Sequence, residues 1–173
     1  MIDWKQIDGW FTGEDAKAYT HIAWNMPPIA RFLEIGAYKG RSTVCMDTIA
    51  KDIDRNITID VIDTFNGDVH IGTANTHEEF IANTKHCNIG RIYPMDTAFA
   101  HATITDGYYD AVFIDATHTY KAVLHDIVTY QPKVKKGGII AGHDIDNPDV
   151  YKAVYNQFGR GFHYIGNCWI TKP

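Results

Sequence analysis

The chain has 173 residues, enough for one domain with a sizeable core, and its 45% hydrophobic and 21% charged residues are the balance of an ordinary soluble globular protein. A formal net charge of -5 argues against non-specific nucleic-acid binding, and no apolar run is long enough to span a bilayer. Cys45, Cys87 and Cys168 are odd in number and far apart, which fits neither a CxxC pattern nor a secreted disulfide framework. Together with an N-terminus that lacks a signal-like apolar stretch, they lead to the expectation of reduced thiols in a cytoplasmic protein.

In chain order, residues from Asp3 to about Met26 read as helical, with Thr12-Gly13-Glu14-Asp15 as a helix start and Pro27-Pro28 as its stop. Ile29 to Ile35 is the first strand and Arg41 to about Lys51 the next helix. Asn56 to Asp63 is the second strand. The polar stretch Thr64 to Thr76 is a long loop, and such loops are often functional. Thr76 and Glu79 are spaced for a capping box on a helix that reaches about Lys85. Ile89 to Tyr93 is a third strand, and Ala98 to about Ile104 a short helix. Asp110 to Asp115 is the clearest strand, with Ala111, Val112, Phe113 and Ile114 as a continuous apolar run of the kind buried on both faces of a parallel sheet. A helix follows over Thr119 to about Tyr130, then a basic turn, Pro132 to Gly138, and a short strand, Gly138 to Gly142. Asn147-Pro148-Asp149 opens a helix that ends near Phe158, and Phe162 to Ile170 reads as a hairpin.

This alternation predicts an α/β fold: a Rossmann-like doubly wound sheet, mostly parallel, with a C-terminal antiparallel hairpin. One domain is expected over residues 1–173, with residues 1–30 as an N-terminal helical cover. The first strand runs through Glu34 into the turn Gly36-Ala37-Tyr38-Lys39-Gly40 and then a helix that opens with Ser42. That arrangement brings backbone close to a ligand at a helix start.

Acidic residues recur where strands end: Glu34, Asp63, Asp96, Asp115 and Asp144. In a parallel sheet these ends share one edge, where the carboxylates would repel one another unless a ligand or cation used them. Asp63 is placed to accept ribose hydroxyls from an adenosine ligand. The turn is not GxGxxG, because Tyr38 stands where a pyrophosphate would meet bare backbone. Asp115, His143 and Asp144 come from two adjacent strand ends and suit a divalent metal, with Mg²⁺ among the candidates. His118, three residues past Asp115, suits a general base.

The segments FLEIGAYKGRST, VIDTFNGD, YPMDT, YDAVFIDATHTYKAVLHDI, PKVKKGGIIAGHD and WITK, in this order, resemble a class I S-adenosylmethionine-dependent methyltransferase. The resemblance is to the small-molecule O-methyltransferase group called methyltransferase family 24, and more distantly to catechol-type and macrolide-sugar O-methyltransferases. It implies that Glu34, Gly36, Tyr38, Gly40 and Ser42 surround the methionine part of the cofactor. It further implies that Asp63 holds the ribose and that Met95 and Asp96 lie against the adenine. Asp115 would sit near both cofactor and metal, and His143 and Asp144 would supply the other metal ligands. Catechol-type enzymes carry Asp then Asn at that pair, so the resemblance leaves metal use open. His118 falls where those enzymes carry a catalytic lysine.

The implied reaction is O-methylation of a small hydroxylated molecule, a sugar or other metabolite, with no nucleic acid or membrane as partner. The loop Asn66 to Asn75 and the aromatic N-terminus are the expected substrate cover. A homodimer is the default set by base rates. The alternatives are an NAD-type adenosine-binding enzyme and a non-catalytic domain that keeps the fold.

Overall fold

The computed structural model describes residues 2–67, 72 and 75–171. Its centre is a seven-stranded sheet: β1 (Ile29–Ile35), β2 (Asn56–Ile62), β3 (Ile89–Tyr93), β4 (Tyr109–Ile114), β5 (Val134–Gly142), β6 (Phe162–Ile165) and β7 (Cys168–Thr171). They lie in the order β3-β2-β1-β4-β5-β7-β6. The first five pair in parallel, and β7 inserts antiparallel between β5 and β6. The expected doubly wound sheet with a C-terminal hairpin is the observed fold.

Alternate residues of each strand point to opposite faces, and the core divides accordingly. Phe32, Val61, Phe113 and Ala141 pack beneath α1 (Gly13–Asn25), α2 (Arg41–Asp52) and α3 (His77–Thr84). Leu33, Ile35, Val112, Ile114 and Trp169 face the short α4 (Thr97–Ala100), α5 (Tyr120–Tyr130) and α6 (Pro148–Phe158). All six residues of β4 are buried: the apolar run Ala111 to Ile114 lies inside the sheet, and Asp110 is paired with Lys135 at 2.8 Å. No helix among the described residues is long and apolar enough to cross a membrane.

Three local expectations change. The helix expected from Asp3 is a single 3-10 turn, Trp4–Gln6, and α1 begins only at Gly13. Between them the chain runs as a loop that Arg41, at the start of α2, holds by donating to the carbonyls of Phe11 and Ile7, both at 2.7 Å. The expected capping box at Thr76 does not form, and the buried Thr76 hydroxyl has no hydrogen-bond partner among the described residues. A capping box closes instead at α1, where the Asp15 carboxylate accepts from the Thr12 backbone at 2.9 Å and hydroxyl at 2.7 Å. Lastly, β5 starts at Val134. A register shift against β4 absorbs Lys135 to Gly138, with Gly137 at φ +78°.

Candidate active site

The strand order reverses direction between β1 and β4, so the crevice at their carboxyl ends is the natural ligand position in such a sheet. A cleft of about 670 Å³ opens there. Of the residues singled out in the sequence, Gly36, Tyr38, Ser42, Asp63, Met95, Asp96, Asp115 and His118 line it. Glu34, Gly40, His143 and Asp144 are not among its described lining. Residues 68–71, 73 and 74 of the expected covering loop lie outside the described residues. Trp10 and Phe11 of the N-terminal loop form part of the wall, with the Trp10 ring 5.2 Å from that of Tyr38.

The glycine turn is built by its neighbours. Asp63 Oδ2 accepts the backbone N–H groups of Ala37 at 2.7 Å and Tyr38 at 2.8 Å, and Oδ1 accepts that of Phe65 at 2.7 Å. Gly36 donates its own N–H to Ile62 O. These N–H groups thus close the turn rather than face a ligand. Gly36 has φ +84°, and a Cβ there would lie 1.9 Å from the Asp115 carbonyl oxygen, so the ends of β1 and β4 touch only because the side chain is absent. At Gly40 a Cβ would meet Thr84 at 2.8 Å and Phe80 at 3.2 Å, so this glycine admits α3.

Glu34 lies inside the protein rather than on the rim. Its fully buried carboxylate accepts hydrogen bonds from the hydroxyls of Tyr19, at 2.9 Å, and Thr43. Burial pushes its pKa up to about 7, although hydrogen bonds from Thr43, Ser42 and Tyr19 pull the other way. Glu34 therefore ties α1 and α2 to β1 behind the cleft wall, with Ser42 touching both.

At the ends of β4 and β5 a charged group assembles. His118 Nε2 lies 2.9 Å from Asp144 Oδ2 and 3.4 Å from Asp115 Oδ1. Hydrogen bonds to Asp115 and Asp144 raise the His118 pKa to about 10, so the ring is a cation at neutral pH in this arrangement. The ligand atoms of Asp115, His118 and Asp144 all fall within 4.8 Å of one another. His143 is turned away from the cleft: Nε2 lies 3.2 Å from Asp15 Oδ2 and Nδ1 3.3 Å from Asp144 Oδ2. Burial opposes its charge, but Asp144, Asp15 and Asp115 outweigh that and raise its pKa to about 10. Asp15 and Asp144 are both held well below the usual carboxylate range by these contacts, against the opposing effect of burial.

A family profile described as a methyltransferase domain matches residues 33–145, the span from β1 to the end of β5. The chain belongs to this methyltransferase family. It is a class I S-adenosylmethionine-dependent methyltransferase of the family-24 kind. A search of curated protein sequences finds no match. Solved structures share the fold. The O-methyltransferase NovP superposes with a TM-score of 0.73 at 17% identity, covering 92% of this chain and 79% of its own. CalS11, a TDP-rhamnose 3'-O-methyltransferase of calicheamicin biosynthesis, gives 0.61 at 13% identity, covering 94% and 81%. SMU.1697c from Streptococcus mutans, solved in complex with SAH, gives 0.62 at 11% identity, covering 94% and 99%.

The methyltransferase cleft fits its cofactor class. Its volume lies within the usual range for small-molecule sites. Asp63, Asp96 and Asp115 line it with negative charge, which suits a sulfonium cation carrying an ammonium group. The donor set of Asp115, His118 and Asp144, one nitrogen and two carboxylates, also fits a divalent cation. Two structural partners of this methyltransferase site were missed in the sequence. Asp15 read there as part of a helix start, and Asn167 as a turn residue. Neither position carries a local signal linking it to the carboxyl ends of β4 and β5.

Proposed function

We propose that the chain methylates a hydroxyl oxygen of a small hydroxylated molecule, a sugar or other metabolite. The observation that carries this reading is the cleft itself. It joins an acidic wall from Asp63 to Asp115 with the Asp115–His118–Asp144 group at the other strand ends. That NovP and CalS11 are named as O-methyltransferases supports oxygen as the acceptor atom. S-adenosylmethionine, when bound, supplies a methyl group activated by sulfonium charge.

The protein's part is alignment and charge. Asp63 fixes the turn and keeps lone pairs on Oδ1 for a hydroxyl, while Met95 and Asp96 flank the side of the cleft assigned to adenine. Tyr38 and Trp10 form part of the wall of the same cleft that His118 lines. Asp115, His118 and Asp144 would hold a divalent cation, whose chemistry there is to lower the pKa of the acceptor hydroxyl. Without a cation, the His118 imidazolium is held by both carboxylates, and proton abstraction at its Nε2 requires that charge to leave first. In this reading residues 1–173 work as one domain in the cytoplasm, singly or as a homodimer, on a diffusible acceptor rather than a nucleic acid or membrane.

Calorimetry with S-adenosylmethionine, S-adenosylhomocysteine and NAD tests the cofactor, and methyl transfer from labelled S-adenosylmethionine to a panel of sugars and catechols tests the acceptor. Binding of the sulfur cofactors but not NAD is expected, and the reverse result would end the proposal. Activity that survives EDTA would remove the cation from the mechanism.

A further inference from the structure

The cleft opens at the carboxyl ends of the parallel strands, and α2, returning from β1 to the start of β2, carries its second half to their amino ends. Three metal-ligating side chains meet there. Asp47 comes from α2, and His86 and Cys87 from the segment that joins α3 to β3. A carboxylate oxygen, a ring nitrogen and the sulfur all lie within 4.8 Å of one another. Asp47 is 2% exposed, and His86 and Cys87 are half-buried. His86 Nε2 is buried with no hydrogen-bond partner among the described residues. Asp47 is held on both oxygens: Oδ1 accepts the Asn88 backbone N–H at 2.9 Å, and Oδ2 accepts from Lys51 Nζ at 2.6 Å. Lys51 in turn donates to the His86 carbonyl at 3.0 Å, so the same lysine ties the helix to the segment carrying the other two side chains.

We propose that Asp47, His86 and Cys87 form a second metal site, separate from the cleft, that takes Zn²⁺. A thiolate beside an imidazole selects Zn²⁺ over the oxygen-seeking Mg²⁺ and Ca²⁺. A tetrahedral Zn²⁺ sets sulfur, nitrogen and oxygen donors roughly 3.3–3.6 Å apart, a spacing that rotation of these three side chains can reach. Each carboxylate oxygen offers two acceptor positions, so Asp47 keeps one free on each oxygen after bonding Asn88 and Lys51. Those two groups act as the outer partners that fix a ligating carboxylate, and the Lys51 ammonium offsets one of the two negative charges of Asp47 and an ionised Cys87. Binding releases the thiol proton to solvent. A fourth, water ligand has access from the surface hollow that Asp47 lines with Lys51, Asn56 and Asn88. The cation would bridge α2 and the entry to β3, stabilising the fold because only the folded chain brings the three donors together.

The test is Zn²⁺ binding to the full chain by calorimetry, with Co²⁺ as a spectroscopic probe and a non-thiol reductant present. Wild type should melt higher with Zn²⁺, and Co²⁺ should give a near-ultraviolet thiolate-to-cobalt charge-transfer band. Co²⁺ held by Asp115, His118 and Asp144 gives no such band, because that group contains no sulfur, and Asp115→Asn should leave the band in place. Cys87→Ser should abolish the band and weaken Zn²⁺ binding by more than the roughly 10- to 100-fold that loss of an outer partner costs. His86→Gln should weaken both signals. Far-ultraviolet circular dichroism and melting without metal serve as fold controls. If Cys87→Ser does not fold, His86→Gln and Asp47→Asn carry the comparison. No charge-transfer band in wild type overturns the proposal. So does a band that survives Cys87→Ser but is lost in Cys168→Ser, or Zn²⁺ binding no tighter in wild type than in the folded variants.

Discussion

Asp63 Oδ2 accepts the backbone N–H of Tyr38 at 2.8 Å, so the end of β2 sets the shape of the turn that follows β1. One carboxylate therefore serves the fold and, in the proposed function, the ribose.

Asp63→Ala would leave three backbone N–H groups without their acceptor. The expected stability loss is about 1–3 kcal/mol, from groups only partly rescued by water. S-adenosylhomocysteine affinity should fall about 10-fold or more, since the turn loosens as the ribose partner is lost. Asp63→Asn, which keeps one acceptor oxygen, should fall between. Urea denaturation and calorimetry check the two effects separately.

Gly36→Ala should be among the most damaging single substitutions. The new Cβ would sit 1.9 Å from the Asp115 carbonyl oxygen, and φ +84° is itself strained for alanine. The backbone conformation alone costs about 1–3 kcal/mol, and relief of the clash parts β1 from β4 at the cleft floor. The variant should lose both melting temperature and cofactor binding.

Glu34 makes stability fall with rising pH. Its folded-state pKa is raised from 4.5 to about 7, chiefly by burial. Below the unfolded value both states are protonated, and the contribution is complete. As pH rises toward 7 the unfolded chain ionises first, so stability is lost by up to ~3 kcal/mol. Above that value the loss levels off. Glu34→Gln should flatten the decline between pH 5 and 7, measured as urea midpoints across that range.

Thr12 and Thr76 should respond oppositely to loss of their hydroxyls. Thr12→Ala removes a working cap at α1 and should cost about 1 kcal/mol. Thr76→Val replaces a buried hydroxyl that has no partner among the described residues, and should be neutral or stabilising. Thermal melts of the two variants check the contrast.

The parallel core was legible because local sequence dictates it. The boundaries of β1 and β3 fall where the sequence reading places them, and in β4 the run Ala111 to Ile114 has the pattern of a doubly covered strand. What stayed hidden depends on contacts distant in sequence. Glu34 resembles any strand-end carboxylate until Tyr19 and Thr43 are seen to enclose it. His143 and Asp144 read as a pair from their adjacency, but nothing local shows that Asp15 lies 3.2 Å from the far side of the ring. Thr76 and Glu79 have capping-box spacing, but the backbone at Thr76, with φ −86° and ψ 0°, does not take the extended form a cap requires.

The bond from Asn167 N–H to Asp15 joins residues 152 apart in sequence. At typical ribosomal speeds of 5–20 residues per second, Asp15 is made roughly 8–30 s before Asn167. Until then β7 is missing from its slot between β5 and β6, and the α1 carboxylate has no C-terminal partner. A nascent chain can thus assemble β1 to β5 early, but its acidic centre is completed only after Asn167 has emerged. Chains stopped before Asn167 would carry most of the cofactor cleft, with Asp144 lacking its amide partner and held beside His118 and His143 alone.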